Sequence, residues 1–178
     1  MKSNLKNFLN IFIRYLILIL ISFPSLYIFY LIFTPLTVYP AYFLINLFFN
    51  ASLCGTLISI PNFSINIIPA CIAGSAYYLL LILNLSIPNV KFLKRIKMIG
   101  FSFLFLLIIN ILRIFLLSLF VVSGSSWFDV THKFFWYFMS TIFIIIIWFL
   151  EVKLFKIKEI PFYSDLKFLY KKSYLKKK

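Results

Sequence analysis

Apolar and polar positions in this chain segregate into long blocks instead of alternating residue by residue. A helix needs about 20 mostly apolar residues to cross the roughly 30 Å hydrocarbon core of a bilayer. Four blocks meet that need: Tyr15–Phe33, Ile67–Leu85, Met98–Val122 and Lys133–Leu150. Pro24 falls inside the first, as a kink that a packed bundle tolerates. Thr34–Asn66 carries no charged residue and holds a shorter apolar patch, Ala41–Phe49, between Pro40 and Asn50. A patch this short reads as interfacial or re-entrant. Asn50–Asn66, with Gly55, Pro61 and several Ser and Asn, reads as loop. Pro88–Lys97 is a basic loop, Ser123–Thr131 a short polar turn, and Glu151–Lys178 a basic tail, amphipathic or disordered. No internal repeat is present. The predicted fold is all-α: a polytopic membrane helical bundle of four spanning helices plus one outer re-entrant or interfacial element. Residues 1–150 form its single transmembrane domain and 151–178 its tail.

Charge sets the orientation. Of the 178 residues 63% are hydrophobic and only 12% charged, against about a quarter charged in soluble domains. The net charge of +14 resembles that of a nucleic-acid binder, but the cations flank the apolar blocks, so no nucleic-acid partner is expected. Positive residues favour the cytoplasmic side. The leader Met1–Arg14 (Lys2, Lys6, Arg14), the loop with Lys91, Lys94, Arg95 and Lys97, and the tail are therefore placed inside, and Thr34–Asn66 and Ser123–Thr131 outside. If Ala41–Phe49 also spanned, the leader and the loop would fall on opposite sides. The expected location is the cell membrane, multi-pass. The first block is longer than a signal-peptide core and lacks a small-residue cleavage site, so it reads as retained.

Three residues carry candidate chemistry. Cys71 follows Pro69, and proline is favoured at the first helical position. Cys71 then lies in the first turn of a helix entering from outside, where free N–H groups and the dipole favour a thiolate. The bland alternative is a small buried hydrophobe. Arg113 sits nine residues before Val122, about 14 Å below the outer end of its helix. A guanidinium at that depth costs at least ~2.5–3.5 kcal/mol on insertion scales and usually faces the bundle interior. Asn110 shares its helical face, to hydrogen-bond Arg113 or to line the same pocket; the alternative is a structural polar pair. His132, the only histidine, starts the last block at its outer boundary, placed to take a proton from a thiol and return it to an amine. Asp129 orients it if the helix begins by Val130; the alternative is an interfacial histidine against lipid headgroups. All three fall in the outer half, on three different spans. A Cys–His nucleophilic site with an arginine at the oxyanion needs that arrangement. No Cys/His spacing suggests a metal and no motif suggests a cofactor.

Ala70-Cys71-Ile72-Ala73-Gly74 at a helix start, Asn110-Ile111-Leu112-Arg113-Ile114 inside the next span and His132 at the start of the last resemble the exosortase/archaeosortase family of membrane-embedded, sortase-like cysteine transpeptidases. The length and composition look more like a small archaeosortase than a larger exosortase. The resemblance implies that Cys71 is the nucleophile and that Arg113 and His132 complete the site. It also implies a substrate class: secreted or surface proteins ending in a short motif, a transmembrane helix and a basic cluster. That helix is removed and the new C-terminus transferred to a membrane lipid or other cell-surface acceptor. The chain departs from many relatives in having fewer spans, and in placing two residues, Ile72 and Ala73, between Cys71 and Gly74.

Other functions fit parts of the pattern. In a non-enzymatic assembly factor or transporter-like subunit, Arg113 and Asn110 would be interhelical contacts and Cys71 replaceable. A lipid enzyme would need acidic metal ligands or more cations on the outer side, where Asp129 is the one acid. A Cys54–Cys71 disulfide would remove the nucleophile.

Overall fold

Long apolar helices dominate the computed structural model, which describes residues 2–23, 26–61, 63–124 and 127–172; the side chains of 2–7, 129, 136, 137, 171 and 172 lie outside that description. In chain order come α1 (Lys2–Ser22), α2 (Tyr27–Phe48), strands β1 (Ser52–Cys54), β2 (Leu57–Ile60) and β3 (Phe63–Asn66), then α3 (Pro69–Ile72), α4 (Gly74–Leu85) and α5 (Phe92–Val122). There follow α6 (Phe128–Phe134), one π-helical turn (Phe135–Met139), α7 (Ser140–Leu154) and α8 (Tyr163–Lys172). Two helices, Tyr27–Phe48 and Phe92–Val122, are long and apolar enough to cross a membrane, and Phe8–Ser22 and Pro69–Leu85 are shorter apolar helical segments.

The first predicted span is not one helix. α1 stops at Ser22 and α2 starts after Leu26, which has a left-handed φ of 62°; Pro24, the expected kink, lies outside the described residues. α2 then runs through Pro35 and Pro40 to Phe48, so Ala41–Phe49 is not a separate interfacial or re-entrant element. Each proline removes one helical N–H. Against that cost, Phe29, Phe33, Thr37, Ala41 and Ile45 are all buried at a spacing of four, a continuous stripe that holds the helix against its neighbours.

The Asn50–Asn66 loop is a second correction to the all-α expectation, because it folds as a three-stranded antiparallel sheet in the order β1-β2-β3. Gly55, at φ 62°, opens the two-residue turn that pairs Cys54 with Leu57, a position where glycine is favoured in hairpins. The strand signal is the period-two pattern of Leu57-Ile58-Ser59-Ile60: Ile58 and Ile60 are buried in the helical core.

Contacts between elements set the helix directions. Arg14 and Leu18 of α1 reach the carbonyl of Leu85 and the hydroxyl of Tyr78 respectively, and Phe29 and Phe33 of α2 stack on Tyr77. α1 therefore runs antiparallel to α4, and α2 packs on α4 through Tyr77. α2 runs parallel to α5, since Phe33 meets Phe103 and Phe48 meets Phe115. α7 runs antiparallel to α5, since Arg113 meets Ser140 and Ser102 meets Glu151. α1 and α2 thus follow one another from the Arg14 end of the bundle to the end that carries the sheet.

At the Arg14 end the expected surface charges are partly built into the fold. α5 already begins at Phe92, so Lys94, Arg95 and Lys97 are helical and not loop. Arg14 and Arg95 are only 5% and 8% exposed. Both donate to the carbonyls of Leu85 and Ile87, at 2.7–3.0 Å, which lie at the C-terminal end of α4 where helical carbonyls lack partners. Arg14 also holds both carboxylate oxygens of Asp165 at 2.8 and 2.9 Å, which fastens the tail helix α8 to the bundle. Ser173–Lys178 lie outside the described residues.

Glu151 of α7 is fully buried and accepts hydrogen bonds from Asn84 (3.1 Å) and Ser102 (3.0 Å). Glu151→Ala removes one bond from each donor, while Asn84 keeps Leu80 O and Ser102 Oγ and Ser102 keeps Met98 O; each lost buried bond is worth about 0.5–1.5 kcal/mol net. Glu151→Gln keeps an oxygen in place. Thermal unfolding in detergent should show a lowered midpoint for the alanine variant and a near-native one for the glutamine variant; equal midpoints would mean that these bonds contribute nothing.

Candidate active site

The site begins with a break in the backbone. Pro69 opens the single turn α3, as expected, but Ala73 then adopts φ 61°, ψ 41° and α4 starts afresh at Gly74. Cys71 therefore does not cap a long helix, and the aligned peptide dipoles expected behind its thiol begin three residues later. A non-glycine residue in the left-handed region costs of order 1–3 kcal/mol, so its surroundings must hold it. Gly74 is required next to it by close approach: a Cβ there would lie 2.9 Å from the ring of Tyr30.

The break frees the carbonyls of Cys71 and Ile72, and α5 supplies donors for them. Asn110 Nδ2 donates to Cys71 O at 2.8 Å and to Ile72 O at 3.4 Å; Arg113 Nη2 donates to Cys71 O at 3.2 Å. Asn110 and Arg113 are thus joined through the cysteine backbone, not by a bond to each other. Arg113 Nη1 also donates to Ser140 Oγ at 3.3 Å, which ties α3, α5 and α7 together, while its buried Nε has no partner among the described residues. Sequence reasoning missed Ser140; its signal is a Ser-Thr pair inside the otherwise apolar block Phe134–Leu150.

His132 stands on α6, its ring stacked on Phe128 at 5.5 Å between centroids. The π turn that follows sets its facing. In an unbroken α-helix residues eight apart lie about 80° apart around the axis, and one extra residue in a π turn reduces this to about 20°. His132 and Ser140 are brought toward one face, and both line the cavity described next. Asp129 belongs to the backbone of α6, which starts at Phe128 as its proposed role requires, but its side chain lies outside the described residues.

Cys71, Arg113 and His132 line one cavity of about 280 Å³, with Ser75, Ser140 and Thr141 among its polar walls. Cys71 and His132 also line a second, more apolar cavity of about 350 Å³, bounded by β3 and α5. The thiol-bearing turn thus stands between two spaces of different polarity. Cys71 is half-buried and Cys54 lies exposed on β1; both are free thiols. A larger cavity, about 470 Å³, opens at the opposite end beside Arg14 and Asp165, where the guanidinium is committed to carboxylate and carbonyls. Among the described residues no three His, Cys, Asp or Glu side chains come together as metal ligands do.

Compared with protein-family models, with curated proteins and with solved structures, the chain matches none.

Proposed function

We propose that this protein is a membrane-embedded cysteine transpeptidase, of the exosortase/archaeosortase kind, crossing the membrane four times. Its passages are α1–α2, α3–α4, α5 and α6–α7, with the sheet and the site toward the outer face and the basic ends inside. The apolar character of the outward surface supports the membrane setting. Only 33% and 28% of the most apolar windows of α2 and α5 are buried, and residues such as Leu31, Phe43, Leu104 and Phe149 stand more than half exposed. Soluble proteins rarely leave so much contiguous apolar surface uncovered.

The observation that carries the catalytic reading is the shared cavity of Cys71, Arg113 and His132. His132 takes the thiol proton and the sulfur attacks the carbonyl carbon of a peptide bond ahead of the substrate's C-terminal helix. The tetrahedral oxyanion forms beside Arg113. Two of that guanidinium's five N–H groups are used by Cys71 O and Ser140 Oγ, and the positive charge has its largest effect where water is excluded. Collapse expels the amine, protonated by His132, and leaves a thioester on Cys71. A lipid hydroxyl, an amine or water then attacks the thioester, giving its proton to His132 and restoring the thiol.

The test is to trap that thioester. Membranes holding the protein would receive a secreted candidate that ends in a helix and a basic cluster, followed by mass analysis with and without hydroxylamine. The expected result is a hydroxylamine-sensitive adduct on Cys71, present also in Cys54→Ala. Cleavage of the candidate with no adduct on Cys71 would refute the assignment.

One observation favours a second reading. Asn110 and Arg113 both spend hydrogen bonds on the Cys71 main chain, as the interhelical contacts of a non-enzymatic assembly factor or transporter-like subunit would. In that case the side chain of Cys71 is dispensable.

A further inference from the structure

β3 is an edge strand, paired with β2 on one side only. In an antiparallel ladder, residues whose N–H and C=O face the partner alternate with residues whose groups face away. The bond from Ile67 N to Thr56 O continues the register in which Ile65 pairs with Ile58 and Phe63 with Ile60. Ile67, Ile65 and Phe63 therefore face β2, and Ser64 and Asn66 turn their backbone N–H and C=O to the open edge. Among the described residues those groups make no backbone hydrogen bond outside the sheet. Ser64 and Asn66 are also the β3 residues that, with Ile65, line the apolar cavity shared by Cys71 and His132.

An open edge on a surface is a hazard that proteins normally block with charge or proline. Here Thr34–Asn66 holds no charged residue, and among the described residues the ionisable members of the cavity that the edge borders are Cys71 and His132. Cys71 lines the same cavity as Ser64 and Asn66, so a strand laid on β3 borders the space that the cysteine also faces. Strand addition supplies affinity through main-chain hydrogen bonds and leaves selection to side-chain pockets. It also holds the added segment extended, with its peptide bonds exposed to attack.

We infer that the open edge of β3 is the docking strand for the substrate: an uncharged, extended segment preceding the substrate's membrane helix pairs with Ser64 and Asn66 and is thereby presented to Cys71. This inference rests on the transpeptidase reading above. The apolar cavity receives alternate side chains of that segment, which predicts small or apolar residues there and excludes charged ones.

The test measures binding apart from chemistry. Full-length Cys71→Ala protein in nanodiscs would be titrated with a fluorescent, end-capped, uncharged hexapeptide rich in valine and alanine. Two analogues would be N-methylated, one at the odd and one at the even positions. Strand addition uses every second N–H of the ligand, so one analogue should bind at least about tenfold more weakly than the parent while the other binds almost as well. Ser64→Pro, which removes an edge N–H without touching the β2 ladder, should weaken the parent peptide to a similar degree, and Ser64→Ala should not. Equal binding by both analogues, undiminished binding to Ser64→Pro, or no binding by the parent would each overturn the inference. Alternation seen without a trapped thioester would leave the docking edge standing and sink the Cys71 chemistry. A trapped thioester without alternation would do the reverse.

Discussion

Exchanging the sulfur of Cys71 for oxygen is expected to abolish substrate processing and to leave the fold intact. The Cys71→Ser protein keeps the same backbone, and the bonds that hold this turn come from Asn110 and Arg113 to main-chain carbonyls. No hydrogen bond from the Cys71 side chain contributes to those contacts, so the unfolding midpoint should change little. Cys71 is half-buried against the core, so exchanging one atom there should shift stability by no more than the common point-mutation effect of about 1 kcal/mol. The chemistry changes far more. A thiol is partly ionised near neutral pH and is intrinsically nucleophilic, whereas a serine hydroxyl needs strong activation by its base. Loss of a nucleophile from a unit of cooperating groups typically costs on the order of 10⁴-fold or more in rate. Quantitative immunoblotting of a processed candidate, beside the melting curve of each variant, measures both effects. Wild-type processing by Cys71→Ser would remove the enzyme reading in favour of the structural one. Loss of processing with a collapsed melting curve would mean that the sulfur packs rather than reacts.

The block pattern made the helical character and the nearness of three residues legible, because depth along a helix follows directly from residue count. Cys71, Arg113 and His132 could be placed near one level by counting from block ends, and they do line one cavity. Details that depend on neighbouring elements were not legible. Pro40 reads as the boundary of a separate patch, yet α2 runs through it and through Pro35 because its buried stripe packs on α4 and α5. The short strands hide in a polar, glycine-containing stretch, where period two spans only a few residues and competes with loop composition. The break at Ala73 has no sequence signal of its own. It exists because Asn110 and Arg113, some forty positions later, satisfy the carbonyls it frees. Arg14 and Arg95 look like flanking charges until their partners, the α4 terminus and Asp165, are seen. The π turn after His132 likewise has no local mark, although Ser140 beside it interrupts an apolar block.

Arg113→Lys should lower processing by about 10²–10³-fold, the usual loss when a preorganised oxyanion donor is removed. Lysine keeps the charge but has one compact ammonium in place of a planar fork. It cannot reach Cys71 O and Ser140 Oγ together, so it also loosens the junction of α3, α5 and α7. A purely positional role for Arg113 would produce a loss as well, and Asn110→Ala separates the two. Asn110 makes the shorter bond to the same carbonyl, 2.8 Å against 3.2 Å, and carries no charge. If Arg113 only fixes the turn, Asn110→Ala should slow processing at least as much as Arg113→Lys. If Arg113 stabilises the oxyanion, Asn110→Ala should keep at least about tenfold more activity at a comparable loss of stability, because a neutral carbonyl contact is worth only ~0.5–1.5 kcal/mol net. Single-turnover rates of thioester formation, set against unfolding midpoints for both variants, discriminate between these outcomes. Equal rates would reassign Arg113 from the reacting atoms to the scaffold that carries Cys71. A slower Arg113→Lys at matched stability would place its guanidinium fork, with donor geometry that lysine cannot supply, at the developing oxyanion.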